Sequence, residues 1–331
     1  MSHRLQPNRR DFLKTCAATA VLVGGTSNHS PFFSALEKSR VVISRDPLLR
    51  GAGSTLDSTR LLNMLDRAMQ ALLAADSPLE AWKKLFHPGE IVGLKVNGLA
   101  GRGISTNVLL IQLVCQRLQD AGVPQKNIII WDRLNEDLES AGFHIATHPD
   151  RLRCFGNETL GYEEDLSIYG SVGSCLSKTL TQVCDAVINL PVLKDHSIAG
   201  VTLALKNMFG AIHNPNKYHL TVGDPYVADV NMLSPIRQKV RLHICDATTA
   251  QYEGGPSFMP QWTWPCNALL ISRDPVALDY TGWHILEQKR AEHGLKSLRE
   301  LNRAPNYIAT AADSNHRLGT NDPGQIEQKE V

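Results

Sequence analysis

The chain has 331 residues, 43% of them hydrophobic, with 34 basic and 33 acidic side chains. This apolar content is enough to bury a sizeable core, which excludes intrinsic disorder and small disulfide scaffolds. From Glu37 onward 30 basic residues face 32 acidic ones, so the chain lacks the electrostatic footprint of a partner for nucleic acid or an anionic membrane surface.

The amino terminus reads as an address rather than as structure. Asn8-Arg9-Arg10-Asp11-Phe12-Leu13-Lys14 precedes an apolar stretch from Cys16 to Gly25 that is short for a permanent membrane helix. The arginine pair followed by Phe-Leu-Lys resembles a twin-arginine leader, which exports folded proteins across the bacterial inner membrane. Asn8 stands where Ser or Thr is usual. Residues 1–36 are therefore expected to be an export signal and 37–331 a single α/β domain, periplasmic and without a stable membrane anchor after processing. Export would permit disulfides among Cys115, Cys154, Cys175, Cys184, Cys245 and Cys266. No C-x-x-C spacing occurs, so the signatures of a zinc ribbon, a thioredoxin motif or an iron–sulfur cluster of the chain's own are missing. Cys115, in an apolar helical pattern, and Cys245, in an apolar strand, read as small buried hydrophobes.

Beyond the leader, strand-length apolar runs alternate with longer segments of helical period. This is the pattern of an α/β fold with a mostly parallel sheet flanked by helices, Rossmann-like in its layering, with room for a small inserted lobe. Val41 to Ser44 reads as a first strand and Asp57 to Ala75 as an amphipathic helix with an Asp cap. Ile91 to Val96 reads as a strand, followed by a glycine-bearing loop from Gly98 to Gly103 and a helix from Thr106 to Ala121 capped by Ser105 or Thr106. Ile128 to Trp131 is a strand ending at Asp132. Residues 151–173 read as short strands and a projecting loop. Ala186 to Leu193 is a buried strand bent or placed at an edge by Pro191, and Gly200 to Ile212 reads as helical. Val240 to Cys245 is a strand ending at Asp246, and Ala268 to Ser272 another. Pro275 begins a helix running to His293, with Asp274 as its cap.

In open α/β sheets ligands bind beyond the carboxyl ends of the strands. Lys95 and Asn97 are two residues apart and share a face; Lys194 and His196 repeat that spacing, and Lys206 with Asn207 follows on the next helix. Lysines converging on one crevice attract a carboxylate or phosphate, and a desolvated lysine can act as acid, base or Schiff-base amine. Lys194, His196 and Lys206 are the candidate catalytic residues. Lys95, Asn97, Asn207 and Asp246 are the candidate substrate-binding residues. His196, His213 and His219 are candidate ligands for a divalent metal, although the H-x5-H interval is not the one-turn spacing of a helical zinc motif. A dinucleotide ranks lower: Asp132 stands where a ribose-binding carboxylate belongs, but Gly98-x-x-Gly101-x-Gly103 is not the dinucleotide order of glycines. Trp262 and Trp264 read as packing or rim.

These residues also form a pattern. Gly93-Leu94-Lys95-Val96-Asn97, Asn189 to His196, Gly200-Val201-Thr202, Lys206-Asn207-Met208-Phe209-Gly210, Cys245-Asp246-Ala247, Gly254-Gly255-Pro256 and Asp274 to Asp279 together resemble the family catalogued as the domain of unknown function numbered 362, over about Val41 to Gly319. The resemblance implies an α/β domain. Its members are often joined to ferredoxin-like iron–sulfur segments or preceded by twin-arginine leaders. It marks Lys95, Asn97, Lys194, His196, Lys206 and Asn207 as shared positions without giving them roles. This chain lacks cluster-binding cysteines, so electron transfer would need a redox partner protein. The expected function is an exported enzyme acting on a small anionic molecule. The alternative is a non-catalytic periplasmic binding protein or an accessory subunit of a redox complex.

Overall fold

The computed structural model describes residues 38–51 and 55–331; the leader expected over residues 1–36 lies outside them. In chain order the strands are β1 (Ser39–Arg45), β2 (Val92–Lys95), β3 (Ile128–Asp132), β4 (Arg153–Gly156), β5 (Ser167–Tyr169), β6 (Val172–Ser174), β7 (Ala186–Asn189), β8 (Val192–His196), β9 (Gly200–Thr202), β10 (Val240–Gln251), β11 (Thr263–Trp264), β12 (Ala268–Ser272) and β13 (Ile326–Glu330). The helices are α1 (Ser58–Leu73), α2 (Pro78–Lys83), α3 (Val108–Asp120), α4 (Asn135–Ala141), α5 (Ala204–Asn207), α6 (Tyr226–Met232), α7 (Ser234–Lys239), α8 (Pro275–Glu292) and α9 (Tyr307–Ala312). Among the described residues, an 11-stranded mixed sheet has the backbone order β13-β1-β12-β10-β7-β2-β3-β4, with β8, β9 and β11 joined to it through β10. From β10 to β4 every neighbouring pair is parallel, whereas β12 runs antiparallel to both β1 and β10. The β5–β6 hairpin forms a separate two-stranded sheet.

Both faces of the sheet are covered, which is why its strands read as continuous apolar runs. Alternate residues enter two different cores: Val42, Leu94, Ile130 and Ile271 pack under α1 and α3, while Val41, Ile43, Trp131 and Leu270 belong to the core on the opposite face, where α8 covers β1 and β12. Helix α1 buries Leu61, Met64, Leu65, Ala68, Met69 and Leu72, the one-sided stripe expected of a surface helix, and Asp57 caps it by accepting from Arg60 N. Asp274 likewise caps α8, accepting from Val276 N and Ala277 N just before Pro275.

Several boundaries differ from the sequence pattern for identifiable reasons. Helix α3 is capped by Asn107, whose side chain accepts from Leu109 N, instead of Ser105 or Thr106. Thr106 Oγ1 is held between Asn97 N and Leu190 O. Pro191 divides the run from Ala186 to Leu193 into β7 and β8, and Asp246 N takes up its carbonyl. Strand β10 continues past Asp246 to Gln251 because it changes partners from β7 to β8 across register shifts. Gly200 to Ile212 is a short strand, one helical turn and a 3-10 segment, not a single helix. No helix among the described residues is long and apolar enough to cross a membrane. The six cysteines among the described residues are free thiols, with Cys115 and Cys245 buried.

A polar cluster away from the sheet ends ties the carboxyl-terminal segment to α6. His316 Nε2 contacts Asp229 Oδ1 at 2.9 Å and its Nδ1 contacts Asp313 Oδ1 at 2.8 Å; Ser171 donates to Asp229 Oδ2 through N and Oγ. Burial opposes the imidazolium, but hydrogen bonds to Asp229 and Asp313 outweigh it and raise the His316 pKa. A raised folded-state pKa stabilises the protein fully below the unfolded value of about 6.5, and that contribution fades as pH rises through the folded value. His316→Gln is therefore expected to lower Tm more at pH 5.5 than at pH 9, by an approximate pH series of melting curves. A loss independent of pH would show that the ring acts here only by packing.

Candidate functional site

The chain leaves β2 for β3 and β4 on one side, then returns to place β7 and β10 on the other. The order therefore reverses between β2 and β7, and the crevice beyond their carboxyl ends is the place where this topology binds ligands. There lies a cavity of about 410 Å³, lined by Lys95, Asn97, Asp132, Arg133, Lys194, His196, Thr202, Lys206, Asn207, Phe209 and His219, with Leu99 and Ile198 at its edge. Period-two alternation on β8 sends Lys194 and His196 to the cavity and Asp195 the other way, where its carboxylate accepts from Gly255 N and pairs with Arg303.

The three lysines are buried but differ in partners. Lys95 Nζ lies 2.7 Å from Asp132 Oδ1 and donates to Val96 O at 2.6 Å. Gly210 permits this geometry, since a Cβ there would lie 2.6 Å from Lys95 Cε and 2.8 Å from Asp132 Oδ1. Lys194 Nζ donates to Ile104 O at 3.1 Å and has no carboxylate partner among the described residues. Burial pulls its pKa down to about 7 against the attraction of Asp132 and Asp195. Among the described residues Lys206 Nζ makes neither hydrogen bond nor ion pair; it sits 4.1 Å from the Phe209 ring centroid. Burial, followed by repulsion from Lys194, Lys95 and Arg133, brings its pKa to about 7.

Two imidazoles stack in the same cavity, His196 on His219, with centroids 5.4 Å apart. His196 Nδ1 accepts from Ile198 N and Ala199 N, which places its proton on Nε2. Burial and then the Lys206 charge hold its pKa down at about 2, so the ring is a neutral donor. His219 has the opposite arrangement. Its Nδ1 faces Asn216 O at 3.1 Å, and a carbonyl only accepts, so Nδ1 carries the proton and Nε2 is left as an acceptor. Burial and Lys206 also lower the His219 pKa.

An amide chain fixes the cavity floor. Asn189 Nδ2 donates to Ala204 O, Asn207 Nδ2 to Asn189 Oδ1, and Asn97 Nδ2 to Asn207 Oδ1. The chain ends unsatisfied: Asn97 Oδ1 and Thr202 Oγ1 are buried without a hydrogen-bond partner among the described residues. Such orphaned groups are costly unless something else meets them. Behind the floor, Asp279 accepts from Ala204 N and Leu205 N, so this acid on α8 caps the turn that carries Lys206.

Lys95, Asn97, Lys194, His196, Lys206 and Asn207 thus all line one cavity. Asp246 does not. Its Oδ2 accepts from Asn107 N at the start of α3 and its Oδ1 from Thr248, which makes it an anchor for that helix. The proposed metal triad is also not assembled, because His213 is exposed and packs on Tyr162 while His196 and His219 stack. A protonated Nε2 on His196 is not a metal ligand, and no three His, Cys, Asp or Glu among the described residues are placed to hold an ion. The glycine loop offers little to a phosphate: Gly98 N donates to Asp132 Oδ2 and Gly101 N to Gly98 O. Asp132 serves Lys95 instead of a ribose. Trp262 and Trp264 pack on Tyr252. Spacing gives no sign of His219 as an acceptor or of Arg133 as lining; Thr202 and Phe209 enter only within the family pattern, and Asp132 only by its strand-end position.

No curated protein matches the chain. A crystal structure of a Thermotoga maritima protein, a Northeast Structural Genomics Consortium target, is similar at 10% identity with a TM-score of 0.42, covering 74% of this chain and 61% of that one. The chain thus spans less than two thirds of that protein's length. The family described as "Domain of unknown function (DUF362)" matches residues 92–284, which contain the whole set of lysines, histidines and amides around the cavity. With more than half of its length matched, the chain belongs to the DUF362 family.

Proposed function

We propose that this protein is an exported enzyme acting on a small anionic molecule held in the cavity at the β2–β7 reversal. The observation that carries this reading is a pair of buried lysines, Lys194 and Lys206, facing the cavity without a carboxylate partner among the described residues. Asp132 neutralises Lys95, and Asp137 lies 3.6 Å from Arg133, so the uncompensated positive charge is on those two lysines. A bound anion would supply the missing counter-charge, and Asn97 Oδ1 and Thr202 Oγ1 would meet its polar groups. Two neutral imidazoles of opposite tautomer then offer a proton donor at His196 Nε2 and an acceptor at His219 Nε2. Export is supported by the Arg9-Arg10 leader motif.

Anion binding favours protonated lysines, so it should take up protons and weaken as pH rises above about 7. Melting curves with oxalate, malonate, pyruvate and inorganic phosphate are expected to show a higher Tm at pH 6.5 and little change at pH 9.5, whereas neutral amide analogues do nothing at either pH. Equal shifts for anions and neutral analogues would sink this reading. A binding protein without turnover is the outcome if ligands bind and emerge unaltered from prolonged incubation.

A further inference from the structure

We propose that Lys206 is a covalent residue: its Nζ condenses with the carbonyl carbon of a small 2-oxo acid whose carboxylate is held by the neighbouring cations. This deepens the anion reading and rests on it. Among the three buried lysines, Lys95 is occupied by Asp132 and Val96 O and Lys194 by Ile104 O, while Lys206 has no acceptor among the described residues and lies against the Phe209 ring. An amine so placed has its lone pair free once it loses its proton, and a pKa of about 7 makes that common at neutral pH. A carboxylate must be met by cations, and a carbonyl must meet a donor. Lys95, ion-paired with Asp132 but still bearing donors, and Lys194, whose protonated form a bound carboxylate favours, supply the first; His196 Nε2–H, fixed by the two backbone N–H groups on Nδ1, supplies the second.

The step balances without any redox partner. The Nζ lone pair forms a bond to the carbonyl carbon as the C=O π bond breaks, and His219 Nε2 takes one proton from the nitrogen and passes it to the oxygen, giving a neutral carbinolamine. The nitrogen lone pair then closes the C=N bond as the C–O bond breaks, and the second N–H proton, carried by the same imidazole, leaves with the hydroxyl as water. Amine plus oxo acid yields imine plus water.

The test is reductive trapping. Full-length protein would be incubated with glyoxylate, pyruvate or 2-oxoglutarate at pH 7, where carboxylate binding and a free amine coexist, reduced with sodium borohydride, and examined by intact mass and peptide mapping. The expected result is one adduct per chain, equal in mass to the oxo acid less one oxygen, mapped to Lys206 and missing from Lys206→Arg, which retains the charge. Lys206→Arg melting like the parent shows that loss of the adduct is not loss of fold. Adducts spread over exposed lysines, or no Lys206 adduct with any of the three acids, would overturn the imine. In that event, Tm shifts with oxalate and malonate at pH 6.5 would leave anion binding standing, and their absence would remove both.

Discussion

Lys206→Met is expected to weaken the binding of a small anion by about a hundredfold, the equivalent of about 3 kcal/mol for losing one partner of a desolvated charge pair. The same substitution should raise Tm in the absence of ligand. Lys206 is a buried cation with no hydrogen-bond or ion-pair partner among the described residues and only the Phe209 ring against it, and a methionine of similar length fills its space without the desolvation cost. The pH dependence follows from the sign of the shift. A folded-state pKa depressed from 10.5 to about 7 means the unfolded chain binds more protons between those values, so the parent gains stability across that range. The advantage of Lys206→Met is thus full below pH 7 and disappears toward pH 10.5. Isothermal titration with oxalate and melting curves at pH 6.5 and 9.5 measure both halves. Lower stability together with unchanged affinity would show that Lys206 supports the fold and does not hold the ligand.

Much of this site is visible in the sequence because strand geometry is periodic. Lys95 with Asn97, and Lys194 with His196, share a face for no reason other than two-residue alternation, and the apolar runs before them mark the strand ends. Partners distant in sequence are not visible in this way. Asp132 is 37 positions from Lys95 yet 2.7 Å away, and only the pairing of β2 with β3 creates that contact. Asp246 looked like a site residue because it follows an apolar strand, but β10 runs on beyond it and α3 claims its carboxylate. The histidines failed as a metal set for a related reason. Loop spacing says nothing about which ring nitrogen is free, and here backbone N–H and C=O groups decide that at His196 and His219 separately.

Asp132→Asn is expected to destabilise the unliganded protein by about 3–5 kcal/mol, because it strands the Lys95 ammonium in the interior. The side chains of Lys95 and Asp132 are only 1% and 8% exposed, so water cannot replace the lost charge. Asp132 also accepts from Gly98 N and Arg133 N, and an amide nitrogen turned toward either would repel it. Adding Lys95→Met should recover most of the loss, and a double-mutant cycle by urea denaturation measures the coupling. Simple additivity would mean the pair is not energetically linked. Ligand binding should move in the opposite direction. Without Asp132 three buried lysines share the cavity, so an anion meets one more uncompensated charge and stabilises the variant by a larger increment than the parent. A smaller oxalate-induced Tm shift in Asp132→Asn than in the parent would contradict the view that charge balance, divided between one internal carboxylate and one external anion, governs this cavity.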